Sequence, residues 1–209
     1  MSDDLELLRA WGEGDDEAGS TLVRRHFDTI ARFFETKVED NAADLIQRTF
    51  LACVRARDRA HEIDGFKAFL LTIARRQLID HLRAKYRHAQ HFDPLMVSAH
   101  DLGQTPSQAV AARQEGQLLL RALQRLPIEM QMTVELHYWE QLTEPQIAQV
   151  LDIPRGTVKS RLSRARELLR QHIERLASSA SLAQSTLGGL DRWAGELRTV
   201  IGKGSGQKQ

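Results

Sequence analysis

Residues 143–169 read "TEPQIAQVLDIPRGTVKSRLSRARELL" and carry the signals of two helices joined by a short turn. Thr143, with Gln146 three residues later, is a capping-box pairing that marks the start of a helix. Asp152 favours an exit from that helix, and Pro154 presets the backbone for entry into the next one. The stretch therefore predicts a helix-turn-helix.

The second helix of this stretch has two chemically different sides. Its apolar side holds Val158, Leu162, Ala165 and Leu169, which recur at helical spacing. On the opposite side Gly156 permits a close backbone approach, hydroxyl groups can bond bases or phosphates, and Lys and Arg neutralise phosphates. This helix is thus predicted to enter a DNA major groove. The alternative is a solvated basic face, which the capped helix and tight turn before it disfavour.

Charge is segregated along the chain, although the formal net charge is only +1. Residues 3–17 hold seven acids against one arginine, whereas residues 153–175 hold seven Lys or Arg against two acids, and residues 75–91 hold five against one. Two basic segments on a balanced chain indicate a polyanionic partner. Ala, Leu, Arg and Gln dominate, and no alternating Val/Ile/Thr run occurs, so the predicted fold class is all-α.

Cysteine usage and hydropathy exclude several classes of protein. The lone Cys53 rules out an internal disulfide and a Cys-based zinc site, and its apolar neighbours predict a buried thiol. No apolar run approaches the roughly 18 residues of a membrane helix, and the acidic start of the chain is unlike a signal peptide. His81, His88 and His91 lack the spacing of metal ligands. We therefore expect a cytoplasmic protein with no cofactor, no metal site and no membrane insertion.

The helical pattern is interrupted in two places. Residues 88–110 lose periodicity and carry Pro94, Gly103 and Pro106, which is typical of a linker, and a polar break follows at residues 177–181. We predict two helical domains joined by a flexible linker, the second with the helix-turn-helix, plus a short C-terminal extension. The predicted segments are a first domain at 1–87, the linker at 88–110, a second domain at 111–176 and the extension at 177–209.

The extension repeats apolar residues at helical spacing, namely Leu190, Trp193, Leu197 and Val200. They could dock onto either domain, bind a partner, or line a small helix with no regulatory role. Packing or autoregulation is favoured, because an exposed Trp193 is costly.

Residues 126–169 resemble the C-terminal domain of a sigma factor of the extracytoplasmic-function (ECF) group in the sigma-70 family. The motif "IPRGTVKSRLSRAR" matches that group's pattern almost letter for letter, and Pro145 is one departure from it. The resemblance implies that the second helix reads the promoter −35 element. The expected −35 contacts are Arg155, Gly156, Thr157, Lys159, Ser160, Ser163 and Arg164.

The N-terminal half supports the same resemblance. Residues 40–54, "DNAADLIQRTFLACV", are similar to the family's helix that binds the polymerase β′ clamp, which implies core-polymerase contacts at Asp44, Gln47 and Arg48. Ala43 and Arg48 stand where acids are usual, so Arg48 brings a cation into the expected docking patch. One hypothesis is that a Ser/Thr kinase restores the charge with a phosphate on Thr49, although that residue projects to the apolar side.

Residues 65–87 resemble the family's segment that melts and captures the −10 element. The resemblance implies −10 DNA contacts from the cationic side of this helix, at Arg75, Arg76, Arg83 and Lys85, which suits the tracking of phosphates.

Two aromatic residues and one loop complete the expectations for this segment. Phe66 and Phe69 are predicted to be core residues. The preceding turn "RAHEIDG", residues 59–65, falls where the family captures a flipped base. Nearer the start of the chain, Gly19-Ser20 stands where the family commonly has an aromatic residue followed by an acid.

The resemblance implies a non-enzymatic ECF sigma factor that directs core RNA polymerase to specific promoters and assists initiation. Core polymerase and promoter DNA are the expected partners, and an anti-sigma factor or a Ser/Thr kinase stays open as a regulator. One alternative is a helix-turn-helix transcriptional regulator that acts without core polymerase. A second is an enzyme such as a recombinase, which would need a framed nucleophile that the chain does not show.

Overall fold

The computed structural model describes residues 3–38, 41–86, 93–101 and 114–188. These residues form nine α-helices and one 3₁₀ helix and contain no β-strand, which confirms the all-α prediction. The α-helices are α1 (Asp4–Gly12), α2 (Asp16–Glu35), α3 (Ala42–Arg55), α4 (Phe66–Lys85), α5 (Gln114–Leu123), α6 (Ile128–Tyr138), α7 (Glu144–Leu151), α8 (Arg155–Leu176) and α9 (Ala180–Gly188). The 3₁₀ helix, Arg57–Glu62, lies between α3 and α4.

The helix-turn-helix forms as predicted, from α7 and α8. The Thr143 backbone N–H donates to Gln146 Oε1 at 3.0 Å, and the Gln146 backbone N–H donates to Thr143 Oγ1 at 3.5 Å. These reciprocal bonds satisfy donors that a helix start leaves without partners. Asp152 ends α7 in the left-handed region at φ 51°, and Pro154 precedes the first residue of α8. The turn is therefore built by the residues that predicted it.

The N-terminal helices α1–α4 pack around a core that contains the residues predicted for it. Phe66 and Phe69 are buried, and Cys53 is completely buried. Burial raises the pKa of the Cys53 thiol to about 12, because a thiolate would lose its hydration there. Asp4 in α1 ties that helix to α2 through Arg25 and through His26, whose Nε2 lies 2.7 Å from Asp4 Oδ2.

Trp11 occupies the space that a side chain at Gly19 would need. A Cβ atom at Gly19 would lie 2.5 Å from Trp11 Cδ1, well inside van der Waals contact. The indole of α1 therefore lies directly against the α2 backbone. The resemblance implied an aromatic-acid pair at Gly19-Ser20, and the structure places the Trp11 ring against Gly19.

Part of the predicted linker contacts the second half. The Glu129 N–H donates to Pro94 O at 3.2 Å and the Ile128 N–H donates to Val97 O at 3.0 Å, so this segment caps the start of α6. Residues 93–101 thus contact the second half, and the flexible linker over 88–110 stays a prediction. The rest of that linker lies outside the described residues.

The two predicted domains share one hydrophobic core. Ile128, Met132 and Leu136 of α6 join the core of α1–α4, while Val134 of α6 joins a second cluster formed with α5, α8 and α9. An α-helix that is buried on all sides belongs in the interior of a protein. Helices from both halves thus pack against α6.

The first part of the C-terminal extension packs onto the second half. Helix α9 contacts α5 and α8, Ala183 is buried in their cluster, and Ser185 Oγ hydrogen-bonds a carboxylate oxygen of Glu115. The described first part of the predicted extension therefore packs on α5 and α8. Leu190, Trp193, Leu197 and Val200 lie outside the described residues.

We expect Gly19→Ala to lower the free energy of unfolding by about 1–3 kcal/mol, because its methyl group would displace the Trp11 ring. Gly188→Ala is the matched control, since a Cβ there meets no atom within 4 Å. Urea unfolding followed by tryptophan fluorescence measures both. Equal stability of the two variants would contradict the close Trp11–Gly19 contact.

Candidate functional site

The face of α8 predicted to read DNA is open to solvent. Val158, Leu162, Ala165 and Leu169 are buried, so the apolar stripe points inward as predicted. The expected −35 residues lie on the other side of the helix. Arg155, Gly156, Lys159, Ser160, Ser163 and Arg164 are exposed, and Thr157 is half-buried.

The cations of α8 between Arg155 and Arg166 fall into two groups. Arg155, Lys159 and Arg164 form no ion pair with any residue in the described part of the chain, so their charges are free to meet phosphates. By contrast, Arg161 Nη1 lies 3.0 Å from Glu129 Oε2, and Arg166 Nε donates to the Tyr138 hydroxyl at 2.6 Å. The free cations belong to the expected DNA face, and the two anchored ones fix α8 on α6.

The expected polymerase-docking patch on α3 is exposed and internally paired. Asp44, Gln47 and Arg48 are all exposed to solvent. Arg48 Nε lies 2.9 Å from Asp44 Oδ2, one turn back along the helix. Arg48 thus neutralises Asp44, an acid that matches the family pattern. Arg48 itself stands at a position where that pattern usually has an acid.

An apolar groove borders this patch, and no pattern in the sequence predicted it. The groove has a volume of about 380 Å³ and a nearly apolar lining. Leu51 at its edge is 47% exposed, unusual for a large aliphatic side chain in this protein. The groove is lined by Trp11, Val23, Phe27, Ala43, Ile46, Gln47, Phe50 and Leu51. The expected docking patch therefore has hydrophobic area beside Gln47.

The hypothesis of a phosphate on Thr49 conflicts with its position. Thr49 is completely buried, and its Oγ1 donates to the Leu45 carbonyl at 2.7 Å inside α3. A phosphate there would place about two negative charges in the core. The folded chain therefore does not offer Thr49 to a kinase.

Three of the four cations predicted to contact −10 DNA are exposed, and the fourth is not free. Arg76 Nε lies 3.9 Å from Asp80 Oδ2, and Arg83 Nη1 lies 4.0 Å from Asp80 Oδ1. Lys85 is exposed near the end of α4. Such exposed pairs are weak and leave the cations available. Arg75 instead points at the second half, where its Nη2 donates to Glu129 Oε1 at 2.7 Å.

The loop expected to capture a flipped base is held by helix α7. The Asp64 backbone N–H donates to Gln149 Oε1 at 3.2 Å, and the Asp64 carbonyl accepts from Gln146 Nε2 at 3.0 Å. The side-chain amides of Gln149 and Gln146 therefore bond both the backbone N–H and the backbone carbonyl of Asp64. No sequence signal pointed to this contact, because its partners lie more than 80 positions apart.

Buried ion pairs join the same two halves. Lys37 at the end of α2 is completely buried and contacts Glu135 of α6, and its Nζ also donates to the Phe33 carbonyl at 2.8 Å. Burial lowers the pKa of Lys37, and the Glu135 carboxylate opposes that shift. Arg32 Nη2 lies 3.1 Å from Glu140 Oε1, just beyond α6. Each buried carboxylate is thereby matched by a cation.

Within the described ranges no cluster of three or more His, Cys, Asp or Glu side chains could hold a metal ion. None of the described helices is both long and apolar enough to cross a membrane.

We expect Thr49→Asp to lower the free energy of unfolding by about 3 kcal/mol or more, because it would bury a carboxylate without a partner. Thr49→Val keeps the shape of the side chain and loses a single hydrogen bond, so it should lower the free energy of unfolding by about 1 kcal/mol. Urea titration of both variants measures the difference. Full stability of Thr49→Asp, together with tighter binding to core polymerase, would revive the phosphorylation hypothesis.

Two family models match this chain in the order of its two halves. A model described as sigma-70 region 2 matches residues 22–88, and a model described as sigma-70 region 4 matches residues 116–169. Together they cover more than half of the 209 residues. The first match contains α3, α4 and the loop between them, and the second contains α7 and most of α8.

Curated relatives match over most of the chain. The ECF RNA polymerase sigma-E factor of Haemophilus influenzae is 27% identical over 182 residues, which are 83% of this chain and 96% of the relative. The protein of the same name from Escherichia coli K12 is 26% identical over 182 residues, with 83% and 95% covered.

Two solved structures share the fold. CnrH, solved in complex with the cytosolic domain of CnrY, superposes with a TM-score of 0.57 at 20% identity and covers 83% of this chain and 99% of its own. The sigma factor RpoE of Bartonella quintana, solved with the anti-sigma factor NepR, gives a TM-score of 0.58 at 21% identity, with 74% and 96% covered.

Proposed function

The chain belongs to the sigma-70 family, and from that premise we propose that it is a sigma factor of the ECF type, which directs core RNA polymerase to specific promoters and assists initiation. The observation that carries the proposal is the presence of both regions on one chain, in family order and over most of its length. A regulator that acts without polymerase would need only the helix-turn-helix. The region 2 match therefore favours the sigma factor over that alternative.

We assign the two DNA elements to the two halves. The exposed face of α8, with its free Arg155, Lys159 and Arg164, would hold the −35 element in the major groove. The cationic side of α4 and the loop at residues 59–65 would engage the opened −10 strand. Exposed Asp44, Gln47 and Arg48 would dock on core polymerase. One chain that carries all three contacts raises their effective concentration for one another.

In this role the protein contributes no catalysis of its own, since the polymerase performs the chemistry, and it works in the cytoplasm where polymerase and promoter DNA are. An anti-sigma factor is the proposed regulator, because RpoE was solved with the anti-sigma factor NepR. CnrH was likewise solved with a protein partner, the cytosolic domain of CnrY. A kinase acting on Thr49 is not part of the proposal.

We expect the purified chain to redirect core polymerase to a discrete set of start sites on a promoter library in vitro. Arg155→Ala or Lys159→Ala should lower −35-dependent initiation by about fivefold or more and reduce the salt slope of DNA binding by about 0.9 per lost phosphate contact. Core binding should stay unchanged in both. Arg175→Ala removes an exposed cation from the far end of the same helix and is the matched control. Failure of the wild-type chain to bind core polymerase or to redirect initiation would refute the proposal.

We expect Arg48→Glu to tighten binding to core polymerase about fivefold, because it releases Asp44 and restores an acid at a position where the family usually carries one. Arg55→Glu makes the same charge change on an exposed residue of α3 outside the patch and should leave the affinity unchanged. Fluorescence anisotropy at two salt concentrations measures both, since a charge effect weakens with salt. Weaker binding by Arg48→Glu would mean that the arginine itself contacts polymerase.

A further inference from the structure

The apolar groove of the N-terminal half extends beyond the cavity beside Gln47. A second cavity, of about 620 Å³, also has Trp11, Val23 and Phe27 in its lining, so the two cavities join into one extended groove between α1, α2 and α3. The three shared side chains are half-buried. Ligand pockets have volumes of about 300–1,000 Å³, so each part of the extended groove has room for bulky side chains.

The two ends of the extended groove differ in charge. The α3 end is apolar and includes Phe50 and the 47% exposed Leu51. The α2 end is lined by Asp16 and Asp28 together with one cation, Arg24. Neither carboxylate forms an ion pair with another residue in the described part of the chain. The extended groove therefore suits an apolar segment that is followed by positive charge.

The C-terminal segment, which lies outside the described residues, has that composition. Residues 189–209 hold four Lys or Arg against two acids, and residues 197–209 hold three against none. Residues 3–17, which include Trp11 and Asp16 of the extended groove, carry the opposite charge. At 100° per residue, the bulky apolar side chains of the segment project within about 100° of one another. They are Leu190, Trp193, Leu197, Val200 and Ile201.

The segment of the same chain falls short of the extended groove. Five residues lead from Gly188, the last residue of α9, to Trp193, and they span at most about 18 Å. Helix α9 packs on α5 and α8, in the cluster that α6 separates from the N-terminal core. Each layer of helices adds about 8–10 Å, so two layers and the N-terminal helices beyond them exceed that span. A second copy of the chain is not subject to this limit.

We propose that the extended groove is a self-association site, which takes the apolar side of residues 190–201 from a second copy and places the basic residues that follow beside Asp16 and Asp28. In a symmetric dimer each partner offers its groove and inserts its segment, so the contact forms twice. Trp193 alone buries about 150–250 Å² in such a site. Two contacts of five apolar side chains each reach the size of stable interfaces, about 1,200 Å² or more in total.

Self-association competes with docking on core polymerase, a consequence that rests on the proposed function. The lining of the extended groove includes Gln47, one of the three residues of the docking patch. A segment in the groove covers that residue, so one chain cannot hold the segment and polymerase at once. The concentration of the protein itself then sets the fraction that is able to bind core polymerase.

Sedimentation of the full-length chain over a wide range of concentrations tests the dimer. We expect a monomer–dimer equilibrium whose dissociation constant rises at least about tenfold in Trp193→Ala and about fivefold in Leu51→Ala. Leu95→Ala is the matched control, since Leu95 is 42% exposed and lies outside the groove. A chain that stays monomeric throughout would overturn the inference, and so would equal effects of Leu51→Ala and Leu95→Ala.

A stabilising substitution tests whether the segment docks as a helix. Glycine in a helix is about 1 kcal/mol less favourable than alanine, so Gly195→Ala should tighten the dimer about fivefold. Gly206→Ala makes the same change beyond the apolar pattern and should leave the dissociation constant unchanged. Weaker association by Gly195→Ala would contradict a helical segment in the groove.

A cross-link between two chains identifies the occupant of the groove. An Ala194→Cys chain carrying one arm of a bismaleimide is mixed with an Ala43→Cys chain, whose thiol lies in the groove lining, or with an Arg83→Cys chain, whose thiol is exposed on α4. The native Cys53 is completely buried and does not react. We expect a covalent dimer with Ala43→Cys alone. If the double variant Ala43→Cys/Ala194→Cys instead gives a cross-linked monomer at high dilution, the chain's own segment fills the groove and the dimer is refuted.

A peptide of residues 186–209 tests the competition with polymerase. At saturation it should weaken the binding of full-length Trp193→Ala to core polymerase at least about fivefold, as measured by fluorescence anisotropy, whereas the same peptide with alanine at position 193 should have no effect. A peptide that binds the chain but leaves core binding unchanged would overturn the competition. A wild-type chain that never binds core polymerase would refute the proposed function, a separate result that leaves the dimer standing.

Discussion

The structure depends on the need to pair the carboxylates buried along and just beyond α6. Glu129, Glu135 and Glu140 are all nearly excluded from water, where an uncompensated charge would be strongly destabilising. Their cationic partners come largely from the N-terminal half, as with Lys37 and Arg75. Helix α6 is at the same time apolar on two sides. Hydrophobic burial and charge compensation therefore both bring the two halves to the same helix.

This constraint separates cations that look alike in the sequence. Arg161 and Arg164 stand three positions apart on α8, yet one is bound by Glu129 and the other is exposed. Arg75 and Arg76 are adjacent on α4, and only Arg76 extends freely into solvent. A basic helix thus serves two purposes at once, since one set of its cations compensates buried acids and the rest stay available to phosphates.

Two departures from the family pattern lie at contacts that the sequence did not predict. At Gly19 of α2, the Trp11 ring of α1 occupies the space that a side chain would need, so the two helices pack closely there. An acid is likewise missing at Arg48, and the arginine pairs with Asp44 and lowers the charge of the patch further. A groove lined by Val23, Phe27 and other apolar residues lies beside Arg48, so this side of the N-terminal half presents apolar area next to an internally paired charge.

The sequence by itself determined the helices, the capped turn before α8 and the residues of its exposed face, because these follow from spacings of a few residues along one helix. It also indicated both halves of a sigma factor through their motifs. Only the tertiary structure decided that the halves share a core and that Arg75 is withheld. The contacts responsible join residues 54 to 108 positions apart, and no local pattern encodes which acid a given cation will meet across such a distance.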